Sequence, residues 1–257
     1  MVTSRVVLEI LSPLPLIDRQ DGREILELWK AYLPRLLPDK FGNWEPVDRP
    51  FDADNLSVAL DNWKWPFLAE RAQPKVNCGI WMRKNAKQLL HSTLIWEFYL
   101  PIVEQNELLV FLRTAAIALK ADFACLHLLT ASEIERGRAN RTVTALDKKA
   151  TQFNFFLASK DLKRRIPDIY WATIFGRPYL EMFGKERLLS TPAYQVDVFS
   201  EGIVLLQISE KLSEVADHPG TFRSARERAI LHLGESAFFR SAAEAADDYR
   251  APNFAFA

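Results

Sequence analysis

Cysteine, methionine, histidine and glycine are all scarce in this chain, and each scarcity removes a class of chemistry. Only two cysteines occur in 257 residues, Cys78 and Cys125, both inside apolar stretches that read as strands. That excludes a disulfide-stapled scaffold and favours reduced, buried thiols. The four histidines, His91, His127, His218 and His232, have no metal-ligand spacing to one another or to cysteine, so no metal and no other cofactor is expected. The nine glycines are scattered, as are the fourteen prolines, which leaves no flexible linker. They also form no P-loop and no GxGxxG, and CxxC and HExxH are missing too. Charge of one sign is lacking as well. Thirty-three basic residues balance thirty-three acidic ones, so direct nucleic-acid binding is not expected. Long hydrophobic runs are absent, since the stretch from Leu108 to Leu119 carries Arg113 and is too short for a bilayer. The first apolar segment, Val6 to Leu11, is broken by Glu9 and runs into Pro13 and Pro15, which reads as a strand and not a signal peptide. A cytoplasmic protein without membrane contact is the expectation, with its oligomeric state left open.

What the chain does have is apolar periodicity, in a composition that is 49% hydrophobic and 12% aromatic. Alternation predicts a strand over 5–11, and helical spacing of Ile25, Leu28, Trp29, Tyr32, Leu33 and Leu36 predicts a helix over 22–37 with Asp21 as its cap and Glu24 completing a capping box. After an irregular stretch from Phe41 to Lys75, with a short helix over 55–63, come strands over 76–83 and 92–100. In the second of these, Thr93, Ile95, Glu97 and Tyr99 alternate with Leu94, Trp96 and Phe98. A helix over 103–120 and a strand over 122–129 close the first half. The second half repeats the phrase more weakly. It has a strand over 169–175, a short helix starting at Pro178 and ending at Gly184, a hairpin over 194–209 with Gly202 in its turn, and a helix over 221–233. The expected fold is therefore α+β, with antiparallel sheets, helices on one face, and two ferredoxin-like (βαββαβ-type) halves joined in one unit. The halves are 1–130 and 167–257, with 131–166 connecting them.

Candidate chemistry is thin, and no enzyme activity is expected. Cys125 and His127 share a strand face, but a thiol among Phe123, Leu126 and Leu128 has its thiolate disfavoured, and no orienting third group is visible. Glu97 and Asp122 are the only carboxylates that neighbouring strands could contribute to a metal-nuclease set, and a salt bridge or an exposed sheet face explains Glu97 more cheaply. Gly176-Arg-Pro178 reads as a helix start, because its proline has no N–H to offer a phosphate. Two charged regions, Glu133–Arg141 and the group Lys160, Lys163, Arg164 and Arg165, read as solvated helix faces. The segment 44–65 is different. It combines Trp44, Trp63 and Trp65 with Glu45, Asp48, Asp52, Asp54 and Asp61, against only Arg49 and Lys64. Tryptophans supply buried area and carboxylates steer an encounter, so these eight residues are the candidate surface for a basic protein partner; the alternative is that the tryptophans fold inward.

The block Ile169-Tyr-Trp-Ala-Thr-Ile-Phe-Gly-Arg-Pro-Tyr-Leu-Glu-Met-Phe-Gly184, continuing to Tyr194 and through Gly202–Ile208 and His232–Phe239, resembles immunity proteins of bacterial polymorphic toxin systems. It is most similar to immunity protein family 52. Its matching residues, among them Tyr170, Trp171, Gly176 and Pro178, are core and turn types, so no active-site residue carries over. The resemblance implies a cytoplasmic protein that binds and neutralises a cognate toxin, a nuclease effector exported by a type VI or similar contact-dependent system. Two other functions stay open. One is a small-molecule enzyme with a pocket between the halves near Glu97, Tyr99 and His127. The other is an adaptor subunit of a secretion apparatus.

Overall fold

Strands that alternate large apolar side chains on both faces demand cover on both faces, and that is how this sheet is built. The computed structural model describes residues 4–83, 89–100, 105–131, 133, 155–200, 202–239 and 251–256. Among the described residues, ten strands form one antiparallel sheet: β1 (Ser4–Ser12), β2 (Lys40–Gly42), β3 (Arg49–Pro50), β4 (Phe67–Arg71), β5 (Val76–Trp81), β6 (Ser92–Leu100), β7 (Phe123–Leu128), β8 (Ala172–Phe175), β9 (Gln195–Ser200) and β10 (Ile203–Gln207). Their order is β3-β2-β4-β5-β6-β1-β7-β8-β10-β9. The main helices are α1 (Arg19–Tyr32), α2 (Ser57–Asp61), α3 (Gln105–Ala118), α4 (Ser159–Leu162), α5 (Arg177–Phe183), α6 (Lys185–Leu189), α7 (Glu214–Asp217) and α8 (Pro219–Leu233). None among the described residues is long and apolar enough to cross a membrane.

The α+β class and the large antiparallel sheet are as expected, while two separate ferredoxin-like halves are not shown, because all the strands join one sheet. Reading outward from β7, one arm runs β1, β6, β5 and the other β8, β10, β9. In each arm the strand that opens the phrase lies next to β7, and its hairpin follows in reversed order. The repeated phrase is thus real as an order of strands, yet both arms share β7 and a single sheet. Helices lie on both faces, not one. Leu8, Trp96 and Cys78 are lateral partners on one face, where Trp96 meets Trp29 of α1 and Phe111 of α3 edge-on at 5.7 and 5.3 Å. Phe123 and His127 point to the other face, where they meet Tyr179 of α5 and Phe222 of α8. Right-handed connections running outward from a shared strand in opposite directions put their helices on opposite sides, which accounts for the difference.

Locally the sequence is obeyed with small shifts. Helix α1 starts at Arg19, so Asp21 is not the cap but lies in the first turn, where its Oδ2 accepts from Asp18 N at 3.0 Å. The first helical turn simply begins one Asp earlier. The hairpin turn into β10 has Gly202 at φ +106°, the left-handed region that its position demands. The stretch 41–75, expected to be irregular apart from one helix, holds most of β2 and all of β3 and β4. These strands are two to five residues long, too short for alternation to announce them. Both cysteines are buried free thiols, and burial pushes each thiol pKa well up.

Candidate functional site

The acid-and-tryptophan segment is held by an amide that the sequence reading did not single out. Asn43, buried behind the β2–β3 turn, donates through Nδ2 to the carbonyls of Asn62, Lys64 and Pro66 at 3.2, 3.2 and 2.8 Å. Arg49 bonds Asn62 Oδ1, so one of the segment's two cations is spent inside it. Asp52 accepts from the backbone of Asp54 and Asn55 and shapes the turn. Asp54 lies 3.6 Å from Lys30, and Asp61 pairs with Arg19 at 2.9 Å, both on the surface. Glu45 and Asp48 are exposed and make no ion pair among the described residues.

The three tryptophans part company. Trp44 is 70% exposed, more than any other large apolar side chain described. Trp65 is partly exposed. Trp63 is buried: its Nε1 donates to Leu16 O at 3.0 Å, and its ring packs on Phe67 and over Gly22 of α1. It therefore belongs to the core and leaves the candidate surface. A Cβ at residue 22 would lie 2.4 Å from the Trp63 ring, whose N–H bond holds it in place. Gly22→Ala should accordingly lower stability by about 1–3 kcal/mol, read from urea midpoints. An unchanged midpoint would show that the indole can move aside.

On the opposite sheet face lies a buried polar centre. Trp171 N donates to His127 Nδ1 at 3.1 Å, which leaves the proton on Nε2 facing Glu133 Oε1 at 3.1 Å. Both ring nitrogens are occupied, so His127 is not available as a base for Cys125. Burial works against the Glu133 charge, but the bonds from His127 and from Thr130 N and Oγ1 outweigh it and hold its pKa down to about 2. Since the ordinary value is 4.5, this stabilisation is complete above that pH and drains away as pH falls towards 2. Denaturation midpoints measured through that window should fall, and Glu133→Gln should flatten the fall. Parallel curves for the two chains would contradict it. Glu97, Tyr99 and Glu9 lie on this face as well: Tyr99 Oη donates to Glu97 Oε2 at 3.3 Å, and both Glu9 oxygens accept from Leu157 N. Of the two charged regions, Glu133–Arg141 lies outside the described residues except for Glu133. In the other, Lys163 donates to Leu89 O and Arg164 lies over Phe239.

A second centre was not visible in sequence. His91, Asp122 and Ser159 are each at most 5% exposed and form a chain: Ser159 Oγ lies 2.9 Å from His91 Nδ1, and Asp122 Oδ2 lies 3.0 Å from His91 Nε2. Asp122 also lines a cleft of about 630 Å³ between the end of α3 and the start of α5. This cleft does lie between the two arms of the sheet, at a different place from Glu97, Tyr99 and His127. Among the described residues, no three His, Cys, Asp or Glu side chains are grouped to hold a metal ion.

No protein-family model matches the chain, and no curated protein matches it in sequence. Among solved structures it is distantly similar to the Pseudomonas aeruginosa T6SS protein PA0821, at 14% identity and a TM-score of 0.49, over 99% of this chain and 79% of that one.

Proposed function

We propose that the chain is an immunity protein that binds and neutralises a cognate bacterial toxin, with a nuclease domain of basic surface as the partner. The observation that carries this reading is Trp44, an indole 70% exposed on a turn whose base is pinned by three bonds from Asn43. A large apolar side chain presented to water from a fixed turn is costly to the monomer and useful to an interface, because the backbone that carries it is already ordered when it docks. Glu45 and Asp48 lie on the same turn, exposed and without a cation partner among the described residues, which suits them to steer a positively charged partner. The resemblance of the 169–239 block to toxin immunity proteins supports the same reading.

The test is co-expression and co-purification with the toxin encoded beside it, followed by substitution of the turn. Trp44→Ala should weaken the complex by at least about 2 kcal/mol, roughly thirtyfold in Kd, with thermal stability unchanged. Glu45→Lys with Asp48→Lys should slow association and reduce its salt dependence. A toxin that neither co-purifies nor loses toxicity sinks the function. Unchanged affinity in both variants leaves the function and removes this surface.

A further inference from the structure

Three side chains that the chain keeps 68 and 31 residues apart meet behind its C-terminal segment. Asp122 accepts at His91 Nε2, so the neutral ring carries its proton there and turns the Nδ1 lone pair to Ser159 Oγ. His91 N donates to the same Oγ at 2.7 Å, which leaves the hydroxyl proton to point at Nδ1 and places a fixed donor beside the oxygen. These are the relations that define a nucleophile, a base and the carboxylate that orients it, here with the two ring nitrogens exchanged. The Pro252–Phe256 stretch covers them. Phe254 and Phe256 meet the His91 ring edge-on at 4.7 and 5.0 Å, while Asn253 and Ala255, the residues between and before them, line the cleft that Asp122 also lines. The segment is thus a partition between the imidazole and an open cleft of about 630 Å³.

We propose that Ser159, His91 and Asp122 form an acyl-transfer site for small esters, closed in this conformation by Phe254 and Phe256. When the segment lifts, Ser159 Oγ attacks the ester carbonyl carbon and His91 Nδ1 takes its proton. The C–O bond to the alcohol breaks, and the alcohol leaves with the proton from His91. Water then attacks the acyl-serine, passes a proton through His91 to Ser159 Oγ, and the carboxylic acid departs. Asp122 is a positioning residue that fixes the tautomer. This activity is separate from toxin binding and does not depend on it.

The experiment treats the full chain with a fluorophosphonate probe and locates the adduct by peptide mass. The wild type should label slowly at Ser159. Phe254→Ala with Phe256→Ala should speed labelling at least about tenfold, because local opening no longer limits it. Ser159→Ala should abolish the adduct. Asp122→Asn should slow labelling by about a hundredfold or more, and Asp122→Glu should restore part of it, which a merely structural carboxylate would not do. An adduct that persists in Ser159→Ala, or no Ser159 adduct in any folded variant, overturns the proposal. Should the double variant unfold by circular dichroism, Phe256→Ala and prolonged exposure of the wild type decide in the same way.

Discussion

Gly176→Ala is expected to lower the stability of this protein by about 3 kcal/mol, at the upper end of what one added methyl group costs. The glycine is not there for its conformational freedom, since its φ of −80° is open to any residue. It is there for space. A Cβ would lie 2.2 Å from the carbonyl oxygen of Ala121 and 2.8 Å from the Cα of Asp122. Both obstacles are backbone, and Gly176 N donates to Asp122 O at 2.9 Å, so the two chains cannot part without losing the bond that joins β7 to the end of β8. Thermal unfolding should show a melting temperature lower by roughly 6–12 °C. The same substitution would push on Asp122 and hence on His91. An unchanged melting temperature would mean that the junction is looser than its distances say.

Trp96→Ala should cost about as much or more, roughly 3–5 kcal/mol, by opening a cavity where three aromatic rings meet. Trp96 is fully buried at the centre of the sheet, with Trp29 and Phe111 packed edge-on against it from two different helices. Truncation would leave both helices without their shared contact. Trp96→Phe should be far milder, about 1 kcal/mol, because an aromatic ring remains and the indole N–H it removes has no hydrogen-bond acceptor among the described residues. Urea denaturation of the pair checks this: similar losses for Phe and Ala would show that the indole N–H, and not the ring volume, matters.

The two centres differ in how much of them was legible. The 44–65 segment was visible as a composition, five carboxylates and three tryptophans in a proline-rich stretch. Which tryptophan faces water was not. Trp63 turns inward because Gly22 leaves room for its ring and Leu16 O accepts its N–H, and both partners lie on other elements. Trp44 stays out because Asn43 beside it spends its amide on three carbonyls and fixes the turn. His91 and Ser159 gave no local signal, and Asp122 only that of a carboxylate at the start of a strand: each is a single polar residue whose meaning comes from the other two.

The sequence by itself determined the elements. Alternation placed β1, β5, β6, β7 and the β9–β10 hairpin, and helical spacing placed α1, α3 and α8, because these patterns reflect which side of each element is dry. It also determined the order of the repeated phrase and the candidacy of an acid-and-tryptophan turn. The tertiary structure alone decided that both phrases share β7 in one sheet and put their helices on opposite faces. It decided, too, that Trp63 is core while Trp44 is surface, and that a histidine, a serine and an aspartate meet under the C-terminal segment. The physical reason is common to all of these. Periodicity records burial within one element, whereas the pairing of edges, the facing of surfaces and the meeting of single polar residues are settled between elements distant in the chain.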